Sequence, residues 1–168
     1  MIKQIQAFDT RTFLSLLDTP FHTPLTRLAL IVSFTADGWL YFVLLPIILI
    51  TKDTDVRYWL TLAMLAIASE RTIYYVMKNT IRRRRPPAAL EGFKASIVAS
   101  DEFSFPSGHT SGAFLFVTFL SFGISLLFLP LYLWAMSVGA SRVILGVHFP
   151  TDTIMGAVIG TSIALAYL

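Results

Sequence analysis

The sequence predicts an all-α protein, a polytopic transmembrane bundle of about five to six helices with an N-terminal interfacial amphipathic helix. Three observations predict it. Of 168 residues, 55% are hydrophobic and 14% charged, where a soluble domain carries about a quarter charged residues. The mean hydropathy is +0.71. The apolar residues also gather in several runs, most of them close to the ~20 residues that cross a hydrocarbon core. Residues 1–168 read as one membrane-embedded domain without internal repeats or low-complexity tracts. Cysteine is absent, which excludes disulfide and thiolate chemistry.

In residues 1–20, Lys3, Asp9, Arg11 and Asp18 are interspersed with Ile2, Ile5, Phe8, Phe13, Leu14, Leu16 and Leu17. That spacing suits a helix lying on the membrane surface rather than a cleavable signal peptide. The next apolar stretch, 24–51, is interrupted by Asp37-Gly38. It reads as a short helix over 24–35, a break, and a membrane helix ending near Thr51. Lys52, Asp53, Asp55 and Arg57 then form a polar loop. A second span is expected over 59–80, a third over 108–128 before Pro130, a fourth over 131–147 and a fifth over 151–168. The polar segment 81–106, between the second and third spans, forms a loop on the catalytic face. Gly156 and Gly160 have the four-residue spacing of closely packed membrane helices, repeated by Gly108 and Gly112. Trp39, Tyr41, Tyr58, Trp59, Tyr74, Tyr75 and Tyr167 fall near span ends, as interfacial aromatic belts do.

Three short segments hold most of the unusual polar residues. They are Lys78-Asn79-Thr80-Ile81-Arg82-Arg83-Arg84-Arg85-Pro86, then Pro106-Ser107-Gly108-His109, then Ser141-Arg142 followed by His148 and Asp152. Counted through the crossings, all of them reach the same membrane face, so a single site is geometrically possible. The collection suits a phosphoryl group. Lysine and arginine donate to phosphoryl oxygens, arginine in a bidentate fork. Ser107-Gly108 precedes an apolar helix, whose free N–H groups and positive dipole end would point at a bound anion. Of two histidines, one neutral imidazole can attack phosphorus while the other, protonated, gives its proton to the leaving oxygen. Asp152 follows His148 across Phe149-Pro150, a turn that can bring its carboxylate to the ring.

These motifs resemble the three-part signature of the type 2 phosphatidic acid phosphatase family. Six residues separate Lys78 from Arg85-Pro86, and Pro106-Ser107-Gly108-His109 follows. Five residues then separate Ser141-Arg142 from His148, and three separate His148 from Asp152. The resemblance spans 78–152 and no motif position is missing. It implies a nucleophilic His148 oriented by Asp152, with His109 as general acid. It also implies Lys78, Arg85, Ser107, Gly108 and Arg142 as phosphate ligands, and a phosphohistidine intermediate. The activity to expect is a metal-independent lipid phosphate or pyrophosphate phosphatase. Undecaprenyl pyrophosphate ranks first by analogy and glycerophospholipid phosphates next.

Two histidines and an aspartate could ligate zinc, but Lys78, Arg85 and Arg142 at the same locus favour an anion over a dication. No metal or cofactor is expected. Vanadate should inhibit, EDTA should not, and the activity should follow a bell-shaped pH profile. Arg82, Arg83 and Arg84 read as lipid-headgroup contacts rather than catalytic groups. Glu70 and Arg71, adjacent within a span, should not face each other, and Glu70 is expected to pair with a site cation. Asp37 reads as a helix-break residue, His22 as interfacial, and Phe103 and Phe105 as entrance or core residues.

Discounting the caged arginines, the charge asymmetry of the loops turns the site away from the cytoplasm. For bacterial members the resemblance implies an inner-membrane protein with its site facing the periplasm. The expected partners are the phosphorylated lipid and the bilayer, with no nucleic acid and no obligate protein partner. Two other classes of function compete with hydrolysis. One is a lipid-to-lipid phosphotransferase, and the other a non-enzymatic protein that binds anionic lipid.

Overall fold

The structure, a computed structural model, describes residues 2–17, 22–38 and 53–168. The expected membrane helix ending near Thr51 lies outside the described residues. Among those described, every regular element is a helix, apart from one isolated bridge between Arg84 and Phe103. In chain order they are α1 (Ile2–Leu17), α2 (His22–Phe34), α3 (Thr54–Ile81), α4 (Pro86–Ala89), α5 (Gly108–Thr118), α6 (Leu131–Ile144) and α7 (Pro150–Ala166). Asp53, expected in a loop, caps α3 by accepting from the N–H groups of Asp55 and Val56 at 2.9 and 3.1 Å. The expected third span is not one α-helix. It passes from α5 into a π-helical turn over Phe119–Ile124, after which Ser125 opens a 3-10 turn over Leu126–Phe128. By length and composition, one described segment, Leu126–Ile144, could cross a membrane.

The centre of the bundle is the contact between α5 and α7. A Cβ on Gly156 would lie 2.6 Å from the Ser107 carbonyl oxygen, and one on Gly160 only 2.1 Å from that of Ser111. Backbone therefore meets backbone, and no side chain fits between. The four-residue step is the same on both helices, so they run parallel and their N-termini lie together. Ala66 of α3 packs on one side of this pair with Leu115, Phe119, Ile159 and Ile163. On the other, Ala135 and Val138 of α6 pack against Ala113 and Val117.

Two terminations aim the polar ends of the bundle at one place. Helix α3 stops where Arg82 takes the left-handed conformation, φ 48°, and donates its N–H to the Lys78 carbonyl at 3.1 Å. Beyond α6, Gly146 turns the chain at φ +78°, and a Cβ there would collide with the Phe93 ring at 2.6 Å. Helix α1 has an exposed face and a buried one. Its outer side chains Ile5, Phe8, Leu14 and Leu16 are exposed, but Phe13 is buried edge-on against Phe93 and Phe149. Asp9 is buried with it.

Candidate active site

The ends of α3, α5 and α6, the turn after α2 and the loop before α7 enclose a polar cavity of about 130 Å³. A water occupies about 30 Å³ of liquid, so the space is on the scale of one phosphoryl group. Arg71, Lys78, Arg85, Gly108, His109, Arg142 and His148 line it, with Asp37, Tyr74, Ser100 and Asp101. Four cations face two carboxylates, which favours an anionic guest. Lys78, Arg85 and Arg142 are buried, so their charges are poorly screened by water. Arg142 donates from Nη1 to the Ser33 hydroxyl at 2.6 Å, while its buried Nε has no partner among the described residues. A buried donor left unpaired is costly, and a ligand oxygen would satisfy it.

His148 follows the Gly146 turn and is buried. Its Nε2 lies 3.3 Å from Arg85 Nη1, which also donates to the Val147 carbonyl at 2.6 Å. A guanidinium N–H beside Nε2 requires a lone pair there, which assigns the ring proton to Nδ1. That Nδ1 faces Asp152 Oδ2 at 3.7 Å. Burial pushes the imidazole down to about 4; the Asp152 carboxylate opposes this, and the Arg85 and Arg142 charges add to it. At neutral pH His148 is therefore uncharged, with its Nε2 lone pair on the cavity side beside Arg85.

Asp152 is fixed from behind. Its Oδ2 accepts the Phe149 N–H at 2.8 Å, and its Oδ1 accepts from Arg83 Nη1 at 2.7 Å. Arg83 also donates from Nη1 to the Thr151 hydroxyl at 2.8 Å. From Nη2 it donates to Asp9 Oδ2 at 2.6 Å and to Gln6 Oε1 at 2.8 Å. Its guanidinium stacks 4.5 Å from the Phe149 ring centroid. Both carboxylates are fully buried. This corrects the reading of Arg83 as a headgroup contact: only Arg82 and Arg84 are exposed. Helix α3 ends at Ile81, so successive arginines leave the helical turn in different directions.

The other expectations divide. Lys78, Arg85, Gly108, His109, Arg142 and His148 meet at the cavity, with Asp152 behind His148. Ser107 lies behind it: its N–H donates to the Asp152 carbonyl at 3.0 Å, and its hydroxyl pairs with that of Thr110 at 2.9 Å. Asp37 is more than a break residue, because its Oδ1 lies 2.8 Å from His109 Nε2. Glu70 and Arg71 do pair, contrary to their adjacency: Arg71 Nη2 donates to Glu70 Oε1 at 2.6 Å and Nε to Oε2. The long guanidinium side chain curls back, and it also donates to the Gly108 carbonyl at 3.2 Å. Tyr74, read as a belt residue, turns its hydroxyl into the cavity to donate to Asp101 at 2.5 Å. Among the described residues no cluster of His, Asp and Glu could hold a metal.

Packed helices that hold a cage of buried cations beside a buried histidine suit the handling of a phosphate ester. The chain belongs to the PAP2 superfamily, whose profile matches residues 58–168 and so takes in all three motifs. It is 31% identical over 144 residues to the bacitracin transport permease protein BcrC of Bacillus licheniformis, covering 80% of this chain and 68% of that protein. It is 36% identical over 110 residues to phosphatidylglycerophosphatase B of Bacillus subtilis, covering 59% of this chain and 51% of that one. The crystal structure of Aquifex aeolicus LpxE matches with a TM-score of 0.75 at 28% identity, over 94% of this chain and 93% of that one. The transmembrane PAP2-type phosphatidylglycerolphosphate phosphatase of Bacillus subtilis matches with a TM-score of 0.74 at 25% identity, over 98% and 84%.

Proposed function

We propose that this protein is a metal-independent phosphatase of membrane lipids that works through a phosphohistidine. The observation that carries this reading is the unprotonated Nε2 of an uncharged His148 at 3.3 Å from Arg85, inside a cavity that Lys78 and Arg142 also line. The lone pair of Nε2 attacks phosphorus and forms the P–N bond. The bond to the leaving oxygen breaks, and His109, held by Asp37, gives that oxygen its proton. The Nδ1 proton stays on the ring, facing Asp152, which stabilises the charge that develops there. Water then attacks phosphorus, His109 takes its proton, and the P–N bond breaks to release phosphate. Lys78, Arg85, Arg142 and the N-terminus of α5 at Gly108 hold the equatorial oxygens throughout.

A second, larger cavity of about 530 Å³ supports the choice of an amphiphile. It adjoins the first across Asp37, Ser100, His109 and Arg142, and its outer walls are apolar: Leu30, Phe34, Ile97, Val98 and Leu145. The leaving group, next to the acid His109, would rest there. Undecaprenyl pyrophosphate and glycerophospholipid phosphates remain the leading substrates, the latter in line with the name of phosphatidylglycerophosphatase B. The same reading places α1 at the interface of a bacterial inner membrane, with the cavity opening to the outside.

The test is phosphate release from a panel of lipid phosphates by the detergent-solubilised chain with EDTA present, wild type against His148→Ala. Release by wild type alone supports the proposal, and the preferred lipid identifies the substrate. Equal release by both proteins would remove His148 as nucleophile, and transfer to a second lipid without free phosphate would make the protein a phosphotransferase.

A further inference from the structure

The phosphate cage is already engaged by a carboxylate. Asp101 Oδ2 accepts from Lys78 Nζ at 2.7 Å and from the Tyr74 hydroxyl at 2.5 Å, and Oδ1 accepts from Arg85 Nη2. Two oxygens of one side chain thus bridge two of the cations assigned to substrate, as two phosphoryl oxygens would. The match is incomplete in an informative way. Arg142 lines the same cavity with its Nε unpartnered among the described residues, so the cage offers a donor that a two-oxygen anion does not reach.

The attachment is also releasable. The Asp101 carbonyl is tied separately, accepting from Arg85 Nε at 3.0 Å, so the side chain can swing away while the backbone stays. Its side chain is 32% exposed, whereas those of Asp9 and Asp152 are at 0%. Partial burial alone would raise its pKa, but hydrogen bonds from Lys78, Tyr74 and Arg85 hold the carboxyl well below the usual range. It is charged wherever the enzyme works.

We propose that the Asp101 carboxylate is the resting occupant of the phosphoryl site, and that substrate binds by displacing it. This rests on Lys78 and Arg85 being phosphate ligands. Every phosphate meets the same displacement penalty. A lipid phosphate offsets it through apolar contacts along its chain, while inorganic phosphate has no other contacts to draw on. Asp101 therefore sets a threshold that keeps the free product, and soluble phosphates generally, out of the cage at concentrations where lipid still binds.

The experiment compares wild type with Asp101→Asn and Asp101→Ala as purified full-length protein in detergent. Inhibition of lipid-phosphate hydrolysis by inorganic phosphate and by orthovanadate is measured, together with the rise in unfolding temperature that each anion produces. Both variants should bind both anions about tenfold more tightly, with a lower KM for lipid and little change in kcat. Unchanged anion binding would overturn the proposal. So would weaker anion binding with a loss of kcat, which would make Asp101 a residue that positions Lys78 and Arg85. If wild type binds neither anion and Lys78→Ala alters nothing, the phosphatase reading itself fails, a result separable from either of these.

Discussion

Replacing Arg83 by glutamine separates the structural account from the sequence expectation. If Arg83 touched only lipid headgroups, Arg83→Gln would be silent in detergent. The structure places its guanidinium, 15% exposed, between Asp9 and Asp152, both at 0%. Removing one partner of a buried ion pair costs about 3–5 kcal/mol, because the remaining charge is left uncompensated. Here one deletion strips two carboxylates, and glutamine restores at most one or two of the hydrogen bonds. Asp152 keeps the Phe149 N–H at 2.8 Å, so it is loosened rather than lost. The upper bound on the catalytic effect is therefore the loss of a triad aspartate's proper role, about 10⁴ in kcat. Loss of an outer partner that orients a ligand side chain is milder, about 10- to 100-fold, and that is the range expected here. The assay is kcat on a lipid phosphate alongside the unfolding temperature in one detergent, with Arg82→Gln and Arg84→Gln as exposed comparators. Wild-type kcat and unfolding temperature in Arg83→Gln, or equal losses in all three variants, would refute the reasoning.

Other outcomes follow from the same geometry. His148 must be neutral to attack, and burial sets its titration at about 4, so activity should persist below pH 6 and fall only as pH drops through about 4. An acid limb near the unperturbed imidazole value of about 6.5 would count against a buried nucleophile. His109→Ala should slow phosphohistidine formation from alkyl phosphates by about 10²- to 10⁴-fold. On a nitrophenyl ester, whose leaving group departs without a proton, that first step should slow much less; equal losses in that step on both substrates would deny His109 its role as acid. Gly160→Ala puts a methyl 2.1 Å from the Ser111 carbonyl oxygen and 2.8 Å from the Leu115 nitrogen, neither of which can move without shifting α5. A destabilisation of at least about 1–3 kcal/mol should appear as a lower unfolding temperature, and an unaltered one would disprove the close helix contact.

The parts of the site that sequence revealed were those whose spacing is fixed by local geometry. Lys78, His109, Arg142 and His148 sit at helix ends or just beyond, so an apolar run tells which face each will reach. Gly156 and Gly160 likewise announce a close contact, because only small residues allow one. What stayed hidden depended on long side chains and on loops. Arg71 curls back onto its neighbour Glu70, which residue spacing on a helix cannot anticipate. Arg83 looked like its neighbours until the left-handed residue at Arg82 sent the chain in a new direction. Asp9 belonged to an amphipathic pattern that reads the same whether its polar side faces water or a buried guanidinium. Asp101 lies in an irregular loop, where no periodicity marks which side chain turns inward.

The backbone contact between α5 and α7 has a consequence for how such an enzyme can change. It welds the N-terminus that carries Gly108 and His109 to the one that carries Asp152, and any side chain introduced at Gly156 or Gly160 would prise them apart. The apolar walls of the larger cavity come from elsewhere, from Leu30 and Phe34 on α2 and from Ile97 and Val98 in the loop. If the larger cavity takes the lipid, as proposed, its apolar walls can vary without touching the contact that holds the catalytic ends together. Exchanging Leu30, Phe34, Ile97 and Val98 for bulkier or smaller residues should redirect lipid preference while leaving vanadate sensitivity where it was. Were both to move together, the two halves would have to be regarded as a single evolutionary unit.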